Sequence, residues 1–246
     1  MQKVRQSIFS LDNFPSHVIG GCIVLYVATL VFDWHNIGTD SLQYFLSPTS
    51  KSVFVFGATG AIPVFQFGCW WTVFSSGWLH GSLLHITFNM LWIREFAPRV
   101  GQMYGFRRLV VIYTVAIGCG SLLTSIAGRY FEALPTLLQG SDLAIGASGG
   151  IFGLCGALTA GGQITGDTGV RQTYFGYAVA FFLFGLIVPR VDNWGHLGGF
   201  LGGYTVSYLP WLDPRNEEGK SHLLGAIACL IISAGSIALS LRHGLL

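Results

Sequence analysis

The chain has 246 residues, of which 52% are hydrophobic and only 10% charged, and its mean hydropathy is +0.58. A soluble domain carries about 25% charged residues, so this composition excludes an ordinary soluble domain and indicates a polytopic membrane protein. The formal net charge of +2 is too small to indicate a nucleic-acid partner, and five scattered cysteines (Cys22, Cys69, Cys119, Cys155, Cys229) with no CxxC spacing imply neither a disulfide framework nor a metal site.

Residues 1–16 read as a cytoplasmic segment carrying Lys3 and Arg5. The apolar run that follows lacks a small-x-small cleavage site and ends in Asp33-Trp34-His35-Asn36, so it reads as an uncleaved first span over 17–33. A long loop over 34–78 comes next. Its aromatic residues, Trp34, Trp70 and Trp71 among them, predict that it lies in the membrane interface. Further apolar segments predict spans at 79–97, 108–127, 142–162, 173–188, 194–211 and 222–241. Several fall short of the ~20 residues that cross a bilayer, which local thinning and flanking aromatics accommodate. Asp142, at the head of the fourth span, reads as a helix cap. The stretch 212–221, with Asp213, Arg215, Glu217, Glu218 and Lys220, reads as a solvated linker without function. The predicted fold class is therefore all-α and polytopic.

Lysine and arginine positions set the orientation. With a cytoplasmic N-terminus, the inside segments hold Lys3, Arg5, Arg94, Arg99, Arg107, Arg108, Arg171, Arg215 and Lys220, whereas the outside segments hold only Lys51, Arg129, Arg190 and Arg242. The N-terminus is thus expected inside and the C-terminus outside.

Polar groups in hydrocarbon are costly and mark functional sites. Spans two, four and six all start on the outside. His85 and Asn89 lie roughly 9 and 15 Å into span two, Ser148 roughly 9 Å into span four, and His196 in the first turn of span six. His85 and Asn89, four apart, share one helix face, and His80 lies above them. A serine in a membrane helix often returns its hydroxyl to the i−4 carbonyl. Gly146, Gly149 and Gly150 argue against that for Ser148, because they leave room for another helix or a substrate backbone. Gly195, Gly199 and Gly203 form a small-xxx-small face that would draw span six onto span four and bring His196 within about 3 Å of the Ser148 hydroxyl. Phe152, one turn below Ser148, is placed to pack on the His196 ring.

These residues resemble the rhomboid family of intramembrane serine proteases. The matching motifs are His80-x4-His85-x3-Asn89, Gly146-x-Ser148-Gly149 and Gly195-His196-x2-Gly199-x3-Gly203, and the resemblance covers about residues 68–205. It implies a rhomboid-like six-helix catalytic core over 17–211, with a linker and seventh helix over 212–246. It also implies a Ser148–His196 dyad without a carboxylate or cofactor. His85, Asn89 and the Ser148 N–H would form the oxyanion hole, with His80 and Gly146 in support. Substrates would be single-span membrane proteins, entering past the fifth span beneath a cap at 189–193. Two positions depart from the family pattern. Thr72 follows Trp71 where the family often has arginine, and Gly101 precedes Gly105 where it often has glutamate. Both remove charges that brace loops.

Two other readings stay open on the residues alone. A non-catalytic member of the same fold would bind and escort membrane helices, and a channel would use the polar column of span two for permeation. The first predicts loss of Ser148 or His196, the second acidic residues within the spans. The expected location is a bacterial inner membrane.

Overall fold

A computed structural model describes residues 13–39, 41–131, 133–135 and 139–244. Lys3, Arg5 and most of the predicted N-terminal segment lie outside the described residues. The helices are α1 (Phe14–Phe32), α2 (Ser50–Phe56), α3 (Thr72–Ser75), α4 (Leu83–Tyr104), α5 (Phe106–Tyr130), α6 (Ser148–Thr165), α7 (Thr168–Ile187), α8 (Asn193–Val206) and α9 (Lys220–Gly244). Among the described residues there are only two isolated β-bridges and no strand. Every predicted span overlaps one of the helices α1, α4, α5, α6, α7, α8 and α9, with bounds that differ by several residues. The chain is an all-α, multi-pass membrane protein. α1, α5, α7 and α9 are each long and apolar enough to cross a bilayer on their own.

α6 is the axis of the bundle, packed by α4, α5, α7 and α8. Its glycines and small residues make this possible, and Gly150 to Gly162 are buried without a break. α8 has only 14 residues, about 21 Å at 1.5 Å per residue, short of the ~30 Å hydrocarbon core. It is wedged between α5 and α6 rather than held by lipid. Side chains start several helices. Ser82 Oγ accepts the His85 N–H, Asp167 Oδ1 the Val170 N–H, and Asp192 Oδ1 the Gly195 N–H, each satisfying a first-turn donor.

Two expectations need correction. The fourth span begins its helix at Ser148, not near 142, because residues 142–147 are bends, an isolated bridge at Ala144 and a turn at Ala147, and Gly146 has φ +133°. Asp142 is therefore no cap. Its carbonyl instead accepts the Ile62 N–H of the first loop. The linker over 212–221 is also not simply solvated. Arg215 does form an exposed pair with Asp213 at 2.6 Å, hydrogen-bonding that carboxyl and lowering it to about 2. Its neighbours, however, close over the start of α5. Glu218 Oε1 accepts the Arg108 N–H, and the buried Arg108 guanidinium donates to the carbonyls of Tyr104, Asn216 and Glu217. A carboxylate thus serves this connection despite Gly101, where a side chain would run into the Phe106 ring.

The first loop is half in the protein and half out. Val53, Val55, Phe56, Ala58 and Cys69 are buried, whereas Trp34, Phe67 and Trp70 are exposed. That partition suits a segment lying in the interface. Thr59 and Ala144 exchange backbone hydrogen bonds at 3.0 and 2.7 Å, tying the loop to the strand-like run that leads into α6.

Candidate active site

Ser148 is the first residue of α6, so its N–H has no intrahelical partner. Its hydroxyl lies 3.0 Å from His196 Nε2. His196 sits in the first turn of α8, buried, with its backbone N–H bonded to the Asp192 carbonyl. The predicted convergence of spans four and six is thus present. Its cause is backbone contact. A methyl on Gly199 would overlap the Gly149 carbonyl, one on Gly203 the Gly153 carbonyl, and one on Gly156 the Phe200 carbonyl. Phe152 lies against the His196 ring, as its position one turn below Ser148 suggested.

Gly195 departs from the expected role. Its own Cβ position faces the Asp192 carboxylate, and it is its carbonyl that touches Gly149 and Gly120. α8 also carries a second small face. Gly198 and Gly202 press on Cys119 of α5. Gly120 and this second face were not anticipated, although Ala116, Gly120, Thr124 and Gly128 recur at four-residue spacing in α5 and Gly198 and Gly202 do so in α8.

On α4, His85 Nδ1 accepts the Gly81 N–H at 3.3 Å. The imidazole hydrogen is thereby assigned to Nε2. That nitrogen faces Gly146, where a Cβ would sit 2.8 Å from it and 3.8 Å from Ser148 Oγ. A gap too narrow for a methyl separates the His85 donor from the Ser148 hydroxyl, and Gly146 keeps it open. The positive φ of Gly146 is also one that other residues rarely adopt. Asn89 is buried, and its Nδ2 donates to the His85 carbonyl at 3.0 Å, leaving one amide hydrogen. His80 is fully buried, edge-on to the His85 ring at 5.1 Å, and braces it from above.

No carboxylate reaches His196 Nδ1, which has no hydrogen-bond partner among the described residues. The nearby Asp192 spends an oxygen on the Gly195 N–H. Two further contributors lie outside the expected motifs. The Ser76 carbonyl accepts the Gly146 N–H at 3.0 Å, so the first loop sets the backbone beside the serine. A cavity of about 30 Å³, lined by Thr59, Ser76, Ser121, Thr124, Ser148 and Asp192, lies beside Ser148. It has room for water and polar groups to hold it.

Comparison with known proteins bears on this arrangement. A family model described as the Rhomboid domain matches residues 68–212. RHOMBOID-like protein 4 of Arabidopsis thaliana is 28% identical over 246 residues, covering 92% of this chain and 58% of that protein. RHOMBOID-like protein 5 of the same plant is 33% identical over 154 residues, covering 59% and 45%. Rhomboid protease GluP of Bacillus subtilis is 29% identical over 213 residues, covering 83% and 39%. The chain spans about half the length of the curated relatives it matches.

Proposed function

Because the chain belongs to the rhomboid family, we propose that it is an intramembrane serine endopeptidase with Ser148 as nucleophile and His196 as general base. The catalytic core is residues 17–211, with 212–246 appended to it. The observation that carries this reading is the 3.0 Å approach of His196 Nε2, on a buried imidazole, to Ser148 Oγ.

In the first step Ser148 Oγ bonds to the scissile carbonyl carbon of an unwound substrate segment, and its proton passes to His196 Nε2. The carbonyl oxygen becomes an oxyanion in the gap beside Gly146. There the Ser148 N–H and the His85 Nε2–H converge, and Asn89 holds the His85 backbone and offers its second amide hydrogen. Collapse breaks the C–N bond, and the imidazolium gives its proton to the leaving amine. Water from the cavity beside Ser148, deprotonated by His196, then attacks the acyl ester, and Ser148 recovers the proton. Substrates are single-span membrane proteins. The site opens to the outer half of the bilayer, with the N-terminus in the cytoplasm, an orientation supported by the nine-to-four distribution of basic residues.

The test is cleavage of a single-span substrate by the purified protein in liposomes, with Ser148→Ala and His196→Ala alongside. Cleavage by the parent and none by either variant is the expected result. No cleavage together with no fluorophosphonate labelling of Ser148 would instead favour a protein that only binds membrane helices.

A further inference from the structure

The seventh long helix, α9, touches the first loop rather than the dyad, and the contact is specific. Ser240 Oγ, buried near the outer end of α9, accepts the Trp71 indole N–H at 3.0 Å while donating to its own Ser236 carbonyl at 2.8 Å. It also lies 3.5 Å from Ser75 Oγ, which donates to the Gly57 carbonyl at 2.8 Å. Gly57 has φ +104° and packs so closely between Ser75 and Ser240 that a side chain there would overlap the Ser75 hydroxyl. Beside them, the Trp71 ring meets that of His243, and Cys69 Sγ approaches His243 Nδ1 at 3.7 Å.

The residue after Ser75 is Ser76, whose carbonyl holds the Gly146 N–H and whose hydroxyl bonds Ser121 Oγ at 2.9 Å. An unbroken chain therefore runs from Ser240 through the Trp71–Ser76 turn to the backbone beside Ser148. Thr72 makes a local bond to the Cys69 carbonyl and a long one, at 3.5 Å, to Thr59 within the same loop, so the hydrogen bond that fastens the turn to α9 is the one from Trp71, with Ser75 in contact beside it. The other end of α9 is fixed as well. Arg107 donates to the Gly219 carbonyl, Glu218 accepts the Arg108 N–H, and the His222 ring stacks on Trp211 at 5.0 Å.

We propose that α9 is a strut anchored at the start of α5 and that Ser240 and Trp71 are positioning residues that set the Ser76–Gly146 backbone, and with it the oxyanion gap, from across the bundle. This inference rests on the protease reading above. Each hydrogen bond of this kind contributes modestly. Its loss is expected to act on the rate of the chemical step, because the gap is filled by charge only in the transition state.

The experiment measures kcat and KM of Trp71→Phe, Ser240→Ala and Ser240→Thr in liposomes, each rate normalised to active sites titrated with a fluorophosphonate. Leu239→Ala, on the lipid side of the same helix, serves as control. Trp71→Phe removes the indole donor together with part of the ring, whereas Ser240→Ala removes only the acceptor hydroxyl, so a loss common to both variants reports the bond. The expected result is a kcat per titrated site about fivefold lower for Trp71→Phe and Ser240→Ala. KM should be unchanged, Ser240→Thr should recover most of the rate, and Leu239→Ala should match the parent. Normalisation removes any effect that only lowers the folded fraction. Parent-like kcat per titrated site in both Trp71→Phe and Ser240→Ala would overturn the strut. A parent that neither cleaves nor labels would overturn the protease reading itself.

Discussion

Phe152 lies flat against the imidazole of His196, with ring centroids 4.1 Å apart and planes within 13°. With Nδ1 unpartnered among the described residues, this stack and the Ser148 hydrogen bond orient the base. An aromatic pair is worth about 0.5–1.5 kcal/mol beyond its buried area. Phe152→Leu is therefore expected to lower kcat about two- to tenfold. The check is steady-state cleavage beside a thermal melt, which should shift less than for a variant that leaves a larger void.

His85 and Asn89 should separate in a mutant series. The His85 Nε2–H faces the gap directly, whereas one Asn89 amide hydrogen is already committed to the His85 carbonyl. His85→Ala is expected to cost about 100–1,000-fold in kcat, the usual loss for an oxyanion donor. Asn89→Ala should cost less. A larger loss for Asn89→Ala in single-turnover cleavage would reverse the roles given to the two residues.

The contact between α6 and α8 leaves no room for a methyl. Gly199→Ala would drive Cβ into the Gly149 carbonyl, and overpacking of this kind costs about 1–3 kcal/mol. A lower midpoint of thermal unfolding in detergent and loss of Ser148 labelling are expected together, since the same displacement separates the dyad. Gly176→Ala on α7, with nothing within 4 Å of its added carbon, should unfold like the parent.

The connection between α7 and α8 is latched to the first loop. The Arg190 guanidinium lies 4.9 Å from the centre of the Tyr44 ring, and Gln43 Nε2 reaches the Pro189 carbonyl at 3.4 Å. Arg190 also sits at φ +63°, which a non-glycine residue adopts at a cost. An exposed cation–π pair is worth about 0.5–1 kcal/mol. Tyr44→Ala is accordingly expected to speed fluorophosphonate labelling of Ser148 about two- to fivefold. An unchanged labelling rate would mean that this latch does not limit entry.

Much of the site was legible in the chain because hydrocarbon makes polar residues conspicuous. Ser148, His196, His85 and Asn89 stood out against apolar neighbours, and the depth of their spans placed them together. Phe152 followed from helical spacing. The missing parts share a different physics. Ser76 contributes a carbonyl, which any residue could supply. Asp192 reads as an ordinary charge in a short loop until its carboxylate is seen on the Gly195 N–H. Glu218 looked like one of several linker charges, and its partner at Arg108 is 110 positions away. Asp142 misled because an acidic residue before an apolar run reads as a cap, whereas Gly146 delays the helix to Ser148.

The remote cap on α5 has a consequence for how the protein comes into being. The Arg108 N–H finds its acceptor only once Glu218 exists, and at about 5–20 residues per second on the ribosome that interval is about 5–20 s. Trp71 waits longer still, 169 positions, for Ser240. Ser148 and His196 are both synthesised before either tie can form. A nascent chain inserted through α8 thus holds its two reacting groups in the membrane while the turn beside them still lacks its tie to α9. The site is fully braced only after α9 has followed.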